Sequence, residues 1–195
     1  MKKKEEFFGY ENHDYNPIIR PQSQDLLVSL LKENKPKQIL EIGTFIGYSC
    51  ALMLETCPDA FVTTIEKDKQ NYEYAIKNLE DLGFIGRYKA INCDAMDFLM
   101  QDKNSKFDLI FLDGPKGQYY KYLPYLKEML CKGGILVVDD VMFYGLVQSD
   151  GKIAHKHRSI VNNLRKFLDM LKNDADFDTQ IFEFEDGVSV SRKLK

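Results

Sequence analysis

Five short apolar runs rich in β-branched and aromatic residues recur along this chain, separated by longer stretches of helical periodicity. Gln38–Glu41, Phe61–Ile65, Tyr88–Asn92, Phe107–Leu112 and Ile135–Val138 read as strands, and segments near 48–57, 67–82, 94–102 and 117–130 as helices. Such alternation needs a crossover after each strand, which predicts an α/β fold: a parallel sheet with helices on both faces. Leu26, Leu27, Leu30 and Leu31 after Pro21 add a helix ahead of the first strand. Ile160, Val161, Leu164, Phe167, Leu168 and Leu171 add another after the fifth. The end departs from this rhythm. Thr179–Phe184 and Val188–Ser191 flank Glu185-Asp186-Gly187, whose Asp-Gly is a hairpin signal.

With 195 residues the chain is expected to form a single domain, residues 1–195, with residues 1–16 as an N-terminal extension. No apolar run approaches the roughly 20 residues that cross a bilayer. Met1-Lys2-Lys3-Lys4-Glu5-Glu6 is not followed by the apolar stretch of a secretory signal. Cys50, Cys57, Cys93 and Cys131 are scattered without metal-ligand spacing. A reducing, cytoplasmic setting is expected. The net charge of −3 gives no global attraction to nucleic acid. Locally, Lys152, Lys156, Arg158, Arg165 and Lys166, with His155 and His157 among them, form an acid-free stretch. It reads either as a solvated helix face or as a phosphate-contacting surface.

Ile39-Leu40-Glu41-Ile42-Gly43-Thr44-Phe45-Ile46-Gly47-Tyr48-Ser49 reads as a strand, a glycine turn and a helix start. Its G-x-x-x-G spacing is not the dinucleotide fingerprint G-x-G-x-x-G. Glu66 ends the second strand, where a carboxylate accepts hydrogen bonds from ribose hydroxyls. Asp94 follows the third strand, as a helix cap, as an acceptor for an adenine amino group, or as both. Glu41 stands just before the turn, towards the place of a positively charged amino-acid moiety. Three acids at the carboxyl ends of three adjacent strands suit a cationic sulfonium better than a pyrophosphate, which calls for amide or Lys/Arg donors.

Asp113 follows the strand Phe107–Leu112, and Asp139-Asp140 follow Ile135–Val138. If these strands are neighbours, the acids converge on one point of the sheet rim and repel unless a cation joins them. Oxygen ligands without Cys or His suit Mg²⁺, with Mn²⁺ or Ca²⁺ as alternatives. Lys116, three residues after Asp113, reads as a general base with a lowered pKa beside that cation, or as a surface lysine at a helix start.

A hairpin appended to a doubly wound, Rossmann-like sheet is the layout of class I methyltransferases. From about Pro17 to Arg192 the chain resembles the cation-dependent O-methyltransferases related to catechol and caffeoyl-CoA O-methyltransferases. The resemblance lies in Glu41–Ser49, Ile65-Glu66-Lys67-Asp68, Cys93-Asp94-Ala95, Asp113 with Lys116-Gly117-Gln118-Tyr119, and Asp139-Asp140. It implies an S-adenosylmethionine (SAM) site lined by Ile19, Glu41, Gly43, Ser49, Glu66, Asp94, Ala95 and Asp113. It also implies metal ligands at Asp113, Asp139 and Asp140, Lys116 as the base, and a homodimer. The family commonly has Asp-Asn where this chain has Asp139-Asp140, so Asp140 is a ligand, is protonated or is turned away.

Phe143-Tyr144-Gly145-Leu146-Val147, the basic stretch and Phe177-Asp178-Thr179-Gln180-Ile181-Phe182 resemble bacterial tRNA 5-hydroxyuridine methyltransferases. That resemblance implies the tRNA anticodon region as partner and the wobble 5-hydroxyl as methyl acceptor. In 5-hydroxyuracil the 5-hydroxyl and the C4 carbonyl oxygen are neighbours, as the two oxygens of catechol are. The same site therefore suits a small-molecule diphenol as the alternative acceptor. A non-catalytic adenosyl-ligand or RNA-binding module would have no use for Asp113, Lys116 and Asp139 together.

Overall fold

The computed structural model describes residues 3–12 and 18–195. Seven strands form one sheet: β1 (Gln38–Ile42), β2 (Phe61–Glu66), β3 (Tyr88–Asn92), β4 (Phe107–Leu112), β5 (Leu130–Val138), β6 (Phe177–Phe182) and β7 (Val188–Lys193), in the order β3-β2-β1-β4-β5-β7-β6. The first five run parallel, and β7 pairs antiparallel with both β5 and β6. This is the class I methyltransferase fold, with the hairpin inserted as expected.

Among the described residues six α-helices accompany the sheet: α1 (Pro21–Asn34), α2 (Tyr48–Thr56), α3 (Lys69–Asp81), α4 (Ala95–Gln101), α5 (Tyr119–Met129) and α6 (His155–Lys172). Alternate residues of one strand serve opposite layers. Leu109 and Phe111 pack with Leu27, Leu31, Met53 and Leu79 from α1–α3. Ile110 and Leu112 pack with Leu99, Leu126 and Leu164 from α4–α6. Burial on both faces explains why these strands are apolar throughout rather than alternating.

Several strand ends shift by one or two residues, and two differences are larger in consequence. β5 begins at Leu130, not Ile135: Leu130 pairs with Phe107, the register shifts, and pairing resumes at Leu109 with Ile135. The hairpin turn is longer than Asp-Gly alone, because β6 ends at Phe182 and residues 183–187 form the loop. Its geometry is set by Glu185 at φ 53 and by Asp186, which is buried rather than presented at the tip.

The described part of the N-terminal extension lies against the domain. Phe7 is buried edge-on to Tyr48 with ring centres 5.2 Å apart. Asn78 of α3 accepts from Phe8 N and donates to both Phe8 O and Ile46 O, stapling this segment to the glycine turn. The end of the expected extension, at residue 16, and the start of the family resemblance, at Pro17, lie outside the described residues. Among the described residues no helix is long and apolar enough to cross a membrane.

Candidate active site

The functional residues gather where the parallel strands end, along the carboxyl rim of the sheet. Backbone bonds continue the ladder past each strand: Gly43 N donates to Ile65 O, Asp113 N to Ile42 O, and Asp139 N to Leu112 O. The acids ending β4 and β5 are thereby neighbours. Gly43, at φ 98, touches this join; a Cβ there would lie 1.9 Å from the Asp113 carbonyl oxygen. The glycine is thus required by the protein's own backbone, whereas Gly47 is favoured chiefly by its left-handed backbone, φ 86, with Ala75 on α3 3.3 Å from where a Cβ would lie.

A cavity of about 310 Å³ opens at this rim. Of the residues expected to line a SAM site, Ile19, Gly43, Ser49, Glu66, Asp94, Ala95 and Asp113 form its wall. Phe45, Tyr48 and Tyr122 add aromatic surface that strand-end logic did not single out.

Glu41 differs from expectation. It is fully buried beneath the wall, its two oxygens accepting from Ser49 Oγ and Thr64 Oγ1. Burial pushes its carboxyl up to about 8 against the effect of those two bonds. Ser49, which lines the cavity, is its hydrogen-bonded link to that wall.

Glu66 is held firmly, with Phe45 N donating to one oxygen and Asp68 N to the other, both at 2.8 Å. Asp94 caps α4, its Oδ1 accepting from Met96 N at 2.9 Å, while its Oδ2 pairs with Lys67 at 2.8 Å. The Lys67 bond comes first among the causes that hold Asp94 below the usual carboxylate range.

Asp113 and Lys116 close the far end of the cavity and face the second acidic group. Lys116 Nζ lies 2.8 Å from Asp140 Oδ2 and 3.8 Å from Asp113 Oδ1. Asp140 reaches it from a left-handed backbone, φ 58, a conformation that Asp and Asn tolerate better than most residues. Asp139 Oδ1 accepts from Ser23 Oγ at 3.1 Å and from Asp140 N at 2.9 Å. Arg20 completes the charges, 4.0 Å from Asp140 and 2.7 Å from Asp186. Behind them the buried Tyr119 hydroxyl accepts from Gly114 N and donates to Gly114 O, fixing the turn that carries Lys116.

Burial lifts Asp113 to about 6 and Asp139 to about 7, and neighbouring carboxylates add to both shifts. The lowered pKa expected for Lys116 is absent from the protein's own charges. Burial pulls it down, but Asp113, Asp140 and Asp139 outweigh that and hold it above the ordinary lysine value. Nor are the acids closed around an ion cage: among the described residues no group of three or more His, Cys, Asp or Glu side chains is so arranged. The Lys116 ammonium stands between Asp113 and Asp140 instead.

The basic stretch starts at the loop before α6. Lys152, Lys156, Arg158 and Lys166 are exposed, and Lys166 lies over the Tyr120 ring at 4.4 Å. Arg165 is a correction to the phosphate-contacting set. Its guanidinium donates to Val147 O at 2.9 Å and Ser149 O at 2.6 Å, binding the loop after β5 to α6. That loop carries Tyr144, a large exposed aromatic beside Phe143, which in turn packs edge-on to His157. Asn163 of α6 donates to Gly117 O, placing this face next to Lys116.

Fold and rim together define a class I methyltransferase. Within that class the chain belongs to the O-methyltransferase family, whose model matches residues 8–194. It is 30% identical over 175 residues to a caffeoyl-CoA O-methyltransferase of Populus kitakamiensis, covering 86% of this chain and 74% of the relative. A Staphylococcus aureus protein provisionally named a caffeoyl-CoA O-methyltransferase superposes with a TM-score of 0.87 at 29% identity, over 95% of this chain and 88% of its own. The S-adenosylhomocysteine-bound methyltransferase PaMTH1 of Podospora anserina gives 0.82 at 25% identity, over 98% and 84%.

Proposed function

We propose that this chain is a SAM-dependent, divalent-cation-assisted O-methyltransferase acting on the 5-hydroxyl of wobble 5-hydroxyuridine in tRNA. One observation carries the reading: the cavity bounded by Glu66 and Asp94 at one end is closed at the other by Asp113 and Lys116. An adenosyl group lying towards Glu66 and Asp94 would direct its sulfonium methyl to the lysine and the acids.

The donor set fits a hard cation. Asp113 and Asp139 are raised by burial and by the neighbouring carboxylates, so this cluster gains from more positive charge than Lys116 and Arg20 supply. Asp113, Asp139 and Asp140 would hold such a cation, which would offset their charge and supply acidification of the acceptor hydroxyl. Lys116 would take the hydroxyl proton at Nζ, which requires that its ammonium first leave Asp140 and give up a proton to solvent. The cavity walls align methyl and acceptor oxygen, and much of the rate gain comes from that alignment. Asp94 would accept from the adenine amino group if Lys67, largely exposed, yielded or shared its Oδ2.

The tRNA assignment draws on the exposed Lys152, Lys156, Arg158 and Lys166, on Tyr144 beside the cluster, and on the resemblance of these segments to the tRNA 5-hydroxyuridine methyltransferase TrmR. A small-molecule acceptor is the second reading, favoured by relatives named for caffeoyl-CoA. The deciding experiment incubates the protein with hydroxyuridine-containing tRNA, labelled SAM and Mg²⁺, and analyses the nucleosides by mass spectrometry. Labelled 5-methoxyuridine, lost on reversing the charges of Lys152, Lys156, Arg158 and Lys166, is expected. Unchanged nucleosides beside a methylated diphenol would establish the second reading.

A further inference from the structure

The start of α1 joins the loop between β6 and β7 to the acids at the rim. α1 has no side-chain cap from its own N-cap residue, Arg20. Glu185 supplies one from that loop: Oε1 accepts from Gln22 N and Oε2 from Ser23 N, each at 3.1 Å. These are amides that a helix start leaves without partners in the helix. Glu185 reaches them from a left-handed backbone, φ 53, which a long side chain adopts only where its surroundings hold it.

Ser23 continues the chain of contacts. It is buried, and its hydroxyl lies 3.1 Å from Glu185 Oε2 and 3.1 Å from Asp139 Oδ1. Asp140 N also donates to Asp139 Oδ1. When the single Ser23 hydroxyl proton goes to Asp139 rather than Glu185, both bonds fall on Oδ1 and leave Oδ2 to other partners. At the same helix start Arg20 is gripped by Asp186 at 2.7 Å and reaches Asp140 at 4.0 Å. Adjacent acids of one loop therefore hold Ser23 of α1 and its N-cap Arg20, which touch Asp139 and Asp140 respectively.

We propose that Glu185 is a positioning residue: by clamping the start of α1 it makes Ser23 present Asp139 Oδ2 to a divalent cation. The inference rests on the cation-assisted reading above. Neither Glu185 nor Ser23 lines the cofactor cavity, so the two ligands respond differently to their loss.

The test measures Mn²⁺ binding by electron paramagnetic resonance and S-adenosylhomocysteine binding by calorimetry in the full chain, Glu185→Ala, Glu185→Gln and Ser23→Ala. Ser23→Ala leaves the cap in place and guards against a general loss of folding in Glu185→Ala. Both alanine variants should weaken Mn²⁺ roughly 10- to 100-fold while S-adenosylhomocysteine stays within about twofold, the range typical of residues that orient metal ligands. Glu185→Gln, which keeps an acceptor oxygen, should recover most of the loss. Equal Mn²⁺ affinity in all four proteins, or parallel loss of both ligands, overturns the positioning role alone. No Mn²⁺ binding by the unaltered chain overturns the cation reading and this inference with it.

Discussion

The Lys116 ammonium is bonded to Asp140 at 2.8 Å, so the group assigned as base is held in its acidic form by a residue assigned as metal ligand. On the proposed mechanism lysine and cation would compete for one carboxylate, and base function would follow only once the ammonium had left it and lost its proton. Lys116→Ala should therefore lower kcat by about 10²–10⁴, the usual share of a general base. S-adenosylhomocysteine affinity measured by calorimetry should stay near the original. A variant that retains most of its kcat would remove Lys116 from the base role.

Glu41 sets a pH dependence of stability. Its carboxyl is raised to about 8 in the fold by burial, from an ordinary value of 4.5. The folded chain thus binds the proton more tightly than the unfolded one. The resulting stabilisation is complete below the unfolded value and is lost as pH rises through about 8. In between, this one group contributes a downward slope of up to about 1.4 kcal/mol per pH unit. Denaturant titrations from pH 5 to 8 should show that slope, and Glu41→Gln should flatten it. An unchanged slope in the variant would mean that Glu41 is ionised in the fold.

Gly43→Ala tests the join between β1 and β4. The new Cβ meets the Asp113 carbonyl at 1.9 Å in a left-handed backbone. Relieving both should cost roughly 3 kcal/mol, or a fall of about 6–12 °C in Tm for a chain of this size. Cofactor affinity should fall with it, because the turn moves away from the cavity. A Tm within a degree of the original would show that the turn relaxes freely.

Arg165→Ala separates a structural charge from a binding one. Loss of its bonds to Val147 O and Ser149 O should cost about 1–3 kcal/mol and expose the loop after β5 to protease. Removing the exposed Lys156 instead should leave the melting curve unchanged and reduce the salt dependence of tRNA binding. If both variants melt alike, the guanidinium bonds contribute no stability.

Much of this fold is legible locally. Apolar runs buried on both faces marked the parallel strands, and the acids after Leu112 and Val138 could be placed once those strands were taken as neighbours. What stayed hidden was decided by distant contacts. Glu41 was read as facing a ligand because nothing nearby announces that Ser49 and Thr64 bond it from below. Arg165 shares its charge with Lys166 but points to loop carbonyls, whereas Lys166 lies exposed over a ring. Glu185 and Asp186 looked like turn residues, since their partners Gln22, Ser23 and Arg20 lie near the other end of the chain. The sign of the Lys116 shift depended on whether three carboxylates outweigh burial, a balance that only geometry supplies.

The contact between Gly43 and the Asp113 carbonyl ties the methyl-donor half of the pocket to the acid cluster through main chain alone. Their separation is therefore insensitive to rotamer changes. The loop after β5 hangs instead on a few side-chain clasps from Asp186 and Arg165. If that loop meets the acceptor, as proposed, one acceptor could be exchanged for another by remodelling the clasped loop while the main-chain join stays put.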